Sequence, residues 1–305
     1  MTATAFGALA IILIGALLRH LGLLEREHGP ALVRIVLYAT LPALVFLITA
    51  RAELEGALLL VPVAGYAIYG ILLAATWIAA RLAGASRALS GAWILAVSVG
   101  NTGFFGLPLI AAAGDGVSVP AAVMYDTLVT GVITFTATPA IAATLGAGSA
   151  AGLNWTQMLR TLSTMPPNWA LIAGFGVNFA GVETLPELVE TPLEILAAGT
   201  LPLVMIYAGM MLGTRPLGRL WIAVGAGAVV RLAVAGAIGY GVATALGLES
   251  DVRATVTLMA AMPTAMMSLV WGAEFRTRAD FIAGMVLVTT LISTITLPLL
   301  RGLIL

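Results

Sequence analysis

The chain has 305 residues, 61% of them hydrophobic and 9% charged, with 14 basic residues balanced by 14 acidic ones. A soluble domain carries about 25% charged residues, so this chain has too few to cover a water-exposed surface, and lipid must be its main solvent. The zero net charge leaves no basic field for nucleic acid. The absence of Cys removes disulfides, thiolate metal sites and Cys nucleophiles.

Apolar segments of roughly 20 residues, the length that crosses a bilayer, recur from end to end. Met1 to Leu18 lacks a basic leader region and a small-residue cleavage pattern, and reads as a first span rather than a removed signal. Spans are predicted at 3–19, 30–50, 57–80, 88–113, 118–144, 167–182, 190–212, 219–246, 252–275 and 280–303. The one sizeable loop, 146–166, is rich in Gly, Ser and Thr and holds Arg160. It divides the chain into 1–145 and 167–305, with five spans each.

Every basic residue is Arg. With ten spans, Arg19, Arg26, Arg81, Arg87, Arg160, Arg215, Arg219, Arg276 and Arg278 share one side, and Arg51, Arg253 and Arg301 the other. The positive-inside rule puts the first group in the cytoplasm. Both termini and the acidic loop with Glu183, Glu187, Glu190 and Glu194 then face outward, to the periplasm if the membrane is a bacterial inner membrane.

The halves echo each other. Leu128-Val129-Thr130 followed by Pro139 recurs as Leu287-Val288-Thr289 followed by Pro298, an offset of 159 residues. Leu41-Pro42 recurs as Leu201-Pro202, an offset of 160. Because five is odd, the second half enters the membrane the opposite way up, giving the inverted-topology repeat of many secondary transporters.

Two spans carry helix breakers near their middles. The fourth contains Gly100-Asn101-Thr102-Gly103-Phe104-Phe105-Gly106-Leu107-Pro108; in a helix interior Pro costs about 3 kcal/mol and Gly about 1. The ninth contains Ala261-Met262-Pro263-Thr264-Ala265. Unwound backbone at that depth must be buried or line a wet cavity, since lipid satisfies neither N–H nor C=O. Helix N-termini at such breaks offer free donors and partial positive charge, which suit a carboxylate. An ordinary kink in a packing helix is the simpler account of either break alone.

Two charges fall inside spans. Asp126, in the fifth, is costly unless it faces a partner, an ion or water; it is a candidate for the coupling cation or proton, or a structural Asp bonded to backbone or hydroxyls. Arg231, in the eighth, is too deep to reach water easily, so a protein partner is expected, with Asp126 one option. Arg34 is shallow enough to snorkel. Tyr125 and Tyr207 are cavity candidates that packing explains equally well. His20 and His28 belong to the first cytoplasmic loop and are expected to be solvated. The Gly residues of the eighth span (Gly225, Gly227, Gly236, Gly239, Gly241) form a small-residue face for close helix packing. No Walker lysine is present, so no ATP site is expected.

These motifs resemble the auxin efflux carrier family, which includes bacterial malonate-type permeases. The resemblance rests on Gly15-Ala16-Leu17-Leu18-Arg19, Leu37-Tyr38-Ala39-Thr40-Leu41-Pro42, the two break motifs, Pro166-Pro167-Asn168 and Ser293-Thr294-Ile295-Thr296-Leu297-Pro298. It implies an all-α polytopic fold similar to bile acid:sodium symporters, in which ten transmembrane helices form two inverted five-helix repeats and broken helices four and nine cross. It also implies a scaffold of helices one, two, six and seven, often dimeric, and a transport domain of helices three to five and eight to ten moving as an elevator. By position, Asn101, Thr102 and Gly103 from one break, and Pro263 and Thr264 from the other, would bind substrate. Gly100, Gly106, Pro108 and Pro263 would make the breaks. Arg231-Leu232 matches a basic-Leu pair of the family. Two positions depart from it: Met266-Met267-Ser268 stands where members often carry Asn, as does Val33-Arg34, and the first change favours a more apolar anion.

The expected function is therefore a carrier for a small organic anion, driven by H⁺ or Na⁺ or by its own gradient. No cofactor and no metal site are expected. An anion channel is an alternative. So is an intramembrane aspartyl enzyme, which would need a second carboxylate beside Asp126; Asp115 is the nearest in sequence and falls in an outer loop.

Overall fold

The computed structural model describes residues 2–51, 56–145, 156, 163–164, 166–182, 184–211 and 220–305. Most of the expected linker 146–166, with Arg160, lies outside these residues, as do Glu183, Arg215 and Arg219. Among the described residues the chain is helical, and the only pairing of extended backbone is one isolated antiparallel bridge between Gly100 and Thr264.

In chain order the helices are α1 (Thr2–His20), α2 (residues 29–50), α3 (Leu60–Leu82), α4 (Arg87–Ser98), α5 (Thr102–Ala111) and α6 (residues 119–145, bent at Thr136). They continue as α7 (Pro166–Phe179), α8 (residues 187–211, interrupted at Gly199), α9 (Trp221–Ala245), α10 (Ser250–Ala260), α11 (Met266–Glu274) and α12 (Ala279–Ile304). Stretches of α2, α3, α8, α9 and α12 are long and apolar enough to cross a bilayer. The predicted fourth and ninth spans are each two shorter helices, α4 with α5 and α10 with α11.

Large apolar side chains are exposed along these rods: Leu13, Leu17, Tyr38, Trp169, Ile195 and Ile295 are each more than half exposed. Such a surface would drive a water-soluble protein to aggregate; in a bilayer it faces acyl chains. Where helices pack on each other, small residues let the backbones approach. A Cβ on Gly15 of α1 would overlap the Ile206 carbonyl of α8, and a Cβ on Gly209 of α8 would overlap the Ile12 carbonyl. Gly174 of α7 lies equally close to Thr49 and the Phe46 carbonyl of α2.

Among the described residues four π-helical turns interrupt the regular helices, at Val36–Thr40, Thr102–Gly106, Tyr125–Gly131 and Val230–Val234. The first two each run into a Leu-Pro pair. Leu41 N–H donates to Val36 O and Leu107 N–H to Thr102 O, five residues back. A proline ring clashes with the carbonyl four residues earlier, and the wider π turn just before it displaces that carbonyl. Pro42 and Pro108 thus sit inside continuous helix.

Candidate functional site

The two breaks meet at the centre of the bundle. From Ser98 the chain runs extended through Val99 and Gly100 and re-enters helix at Thr102. From Ala260 it runs non-helically through 261–265 and re-enters helix at Met266. The two segments pair antiparallel: Asn101 N–H donates to Pro263 O at 2.6 Å, and Ala265 N–H to Val99 O at 3.0 Å. The open backbone groups that the sequence places at these depths therefore satisfy each other, as burial demands.

The remaining groups at the helix ends are taken up by side chains. Thr264 Oγ1 donates to Ala96 O at 2.7 Å and Ser268 Oγ to Leu95 O at 2.8 Å. Thr264 N–H donates to Thr289 Oγ1 of α12 at 3.0 Å. Arg231, only 2% exposed, reaches in from α9: Nη1 donates to Val97 O at 2.7 Å, and Nη2 donates to Ala260 O. Both carbonyls belong to helix ends whose normal intrahelical partners, Asn101 N–H and Thr264 N–H, are engaged elsewhere. One guanidinium fork thereby caps two helices at once, at the termini where the dipole favours a cation. Arg231 does not pair with Asp126; two main-chain carbonyls take its charge instead. Its Nε has no hydrogen-bond partner and lies beside a water-sized cavity of about 20 Å³ lined in part by Ser98, Gly100, Thr102 and Tyr125.

On the other face of the crossing lies a cavity of about 100 Å³. Asn101, Thr102 and Gly103 line it from the first break, Asp126 and Thr127 from α6, Met266 and Met267 from α11, and Pro167 and Asn168 from α7. Thr102 Oγ1 donates to Asp126 Oδ1 at 2.6 Å. A Cβ on Gly103 would stand 3.0 Å from both carboxylate oxygens, so the absence of a side chain there lets Asp126 reach the start of α5. Asn101 is 3% exposed and its Nδ2 has no partner, nor has Thr127 Oγ1. Buried donors left open in this way cost about 1–3 kcal/mol each. Among the described residues no group of three or more His, Cys, Asp or Glu is placed to hold a metal ion.

The structure thus brings Asn101, Thr102, Gly103 and Asp126 to one cavity. Several expectations change. Pro263 and Thr264 brace the crossing: the Pro263 carbonyl and both polar groups of Thr264 are bonded within it. Gly106 and Pro108 are not part of the break: Gly106 is a packing residue whose Cβ would crowd Met259 and Met262, and Pro108 follows a π turn inside α5. The break at the first site is only residues 99–101. Tyr125 is buried against the Arg231 cavity, while Tyr207 lines neither cavity. His20 and His28 are exposed, and His28 Nδ1 accepts from Glu25 N–H.

Two further stretches line the cavity without a site signal of their own in the sequence: Pro167 and Asn168 of the Pro166-Pro167-Asn168 motif, and Thr127, a lone hydroxyl beside Asp126. Thr127 shares the π turn Tyr125–Gly131 with Asp126, and two further π turns carry Thr102 and Arg231. Such turns cluster at functional positions in helices because they turn a side chain out of the regular register.

The sequence matches the family described as "Membrane transport protein" over residues 4–151 and 153–301, almost its whole length. The chain belongs to this family. Among its relatives, an "Uncharacterized transporter" of Methanothermobacter thermautotrophicus is 28% identical over 303 residues, covering 98% of this chain and 96% of that protein. Another, from Methanocaldococcus jannaschii, is 24% identical over 306 residues, covering 95% and 94%. A Rhizobium meliloti protein described as a "Putative malonate transporter" is 26% identical over 270 residues, covering 86% and 82%. The expected resemblance to auxin efflux carriers, which this transporter family comprises, is thereby met. As a member of the family the chain is a membrane transport protein with apolar helices.

Proposed function

We propose that the chain is a secondary carrier for a small carboxylate, bound in the cavity beside the crossing. The observation that carries this reading is the open Nδ2 of buried Asn101, held next to the N-terminal turn of α5 and across from Asp126. The start of α5 and the start of α11 both border the cavity, so an anion there meets the positive ends of two helices. By the measure on which one water needs about 10–15 Å³, the volume of about 100 Å³ holds several waters and suits a small guest. Met266 and Met267 make one wall apolar, favouring a short carbon chain between or behind the carboxylates. The relative described as a malonate transporter is consistent with that size class.

Asp126 sets the coupling. An ionised Asp126 and a bound carboxylate repel each other across a low-dielectric cavity, so the pair is tolerated only when a proton or Na⁺ neutralises Asp126. Thr102 Oγ1 and the cavity wall leave the second carboxylate oxygen free for that cation.

In this reading α1 to α12 form ten spans in two inverted five-helix repeats, with α4–α5 and α10–α11 as the crossing broken spans. The α1, α2, α7 and α8 helices form the scaffold, through which two copies associate, and the rest moves against it as an elevator in the inner membrane. The Arg-rich side faces the cytoplasm and both termini the periplasm. An inverted repeat with broken helices favours a carrier over a channel, and Asp126 is the one carboxylate among the described residues that lines the cavity, half of what aspartyl chemistry needs.

The deciding experiment is counterflow in proteoliposomes loaded with malonate-type acids, under imposed proton or Na⁺ gradients. Saturable exchange that responds to one gradient supports the reading. Single-channel conductance steps without counterflow would establish the channel instead.

A further inference from the structure

Away from the crossing, α3, α4 and α6 enclose an open apolar groove of about 420 Å³, lined by Gly70, Leu73, Ala74, Trp77, Ile94 and Ile141 among others. It is cut into the outer face of a helix long and apolar enough to span the bilayer, and Trp77 on its wall is 46% exposed. Gly70 and Ala74 leave the hollow because they have little or no side chain. A groove this size on a membrane face is filled by an acyl chain or by protein.

Two arginines are held at its end. Arg81 lies in the last turn of α3 with its guanidinium carbon 4.7 Å above the Trp77 ring. Arg87 opens α4 and its Nη2 donates to the carbonyl of Thr144, another groove residue, at 2.7 Å. The short turn 83–86, made by Gly84 at φ +62°, brings both to the same end. Neither arginine takes part in the ion pairs among the described residues, which join Arg51 to Glu190 and Glu194 and Arg278 to Asp280. The position of Arg87 is also electrostatically awkward. A cation in the first turn of a helix opposes the dipole, and an anion bound beside it reverses that penalty.

We propose that this groove is a specific site for an anionic phospholipid, with one acyl chain in the hollow and the phosphate held between Arg81 and Arg87. Arginine forks match phosphate oxygens, tryptophan at the chain–headgroup boundary is the usual interfacial anchor, and the anionic headgroup supplies the charge that both arginines lack. The site lies on helices that carry the crossing, so the lipid binds the part of the protein that holds the substrate cavity.

The test is native mass spectrometry of the detergent-purified protein titrated with dioleoyl phosphatidylglycerol or dioleoyl phosphatidylcholine, which share their chains. The protein should retain the first and release the second. Juxtamembrane basic residues contribute about 1 kcal/mol each toward anionic lipid, so Arg81→Gln with Arg87→Gln should weaken retention roughly 30-fold, the equivalent of ~2 kcal/mol. Ala74→Trp, which fills the hollow and leaves both arginines, should also lose the lipid, and Arg276→Gln on the same side should not. Equal retention of the two lipids, or undiminished phosphatidylglycerol binding by Ala74→Trp, overturns the site. So does displacement by glycerol 1-phosphate, which has the headgroup without chains. Should the double variant not yield monodisperse protein, the lipid comparison and Ala74→Trp still decide.

Discussion

Replacing Arg231 with Met keeps most of the side chain's length and apolar stem and removes every donor. In the native protein that donor set caps Val97 O at 2.7 Å and also caps Ala260 O. Neither carbonyl has another partner within reach along its own helix, since the next available N–H groups bond to Pro263 O and Thr289 Oγ1. Hydrogen bonds from a charged donor contribute about 1.5–3 kcal/mol each, so losing two removes ~3–6 kcal/mol. Relief of burying a guanidinium offsets part of this. At about 2–4 °C per kcal/mol for a chain of this order of size, unfolding in detergent should begin about 5 °C or more lower, measured by thermal shift. Arg231→Lys should fall between the two, because a single ammonium cannot cap both carbonyls in one geometry. A Met variant within ~2 °C of the native protein would refute the double cap as the brace of the crossing.

Three further outcomes test the cavity and the packing. Asn101→Ala removes a donor that has no protein partner, so melting should hold while apparent substrate affinity in uptake falls roughly 10- to 100-fold, the worth of one hydrogen bond to a charged group. Asp126→Asn keeps an acceptor for Thr102 but no titratable charge, and should abolish the response of uptake to pH or Na⁺; an unchanged response would make Asp126 structural. Gly209→Ala forces a methyl against the Ile12 carbonyl at the α1–α8 contact and should lower melting by an amount matching ~1–3 kcal/mol of overpacking, whereas Gly225→Ala, with open space at its Cβ, should be neutral.

Much of this was legible in the residues. Long apolar runs read as spans, and Gly100-Asn101 and Pro263 at mid-depth read as interruptions, because helix propensity is local and lipid cannot hydrogen-bond. Asn101 and Asp126 stand out in the sequence by polarity alone, because a buried amide or carboxylate needs a partner, an ion or water. What the chain order could not reveal is who answers whom. Arg231 was as well suited to Asp126 as to any carbonyl, and only the crossing of residues 99–101 with 261–265 leaves Val97 O and Ala260 O open for it. The groups of Pro263 and Thr264 are bonded within the brace, partners that chain order does not show. Gly106 and Pro108 read as breakers until a π turn absorbed the proline. Local sequence determined where backbone groups would be exposed; tertiary packing decided their partners, since the open groups bond to other segments, 134 residues away for Val97 O and 29 for Ala260 O.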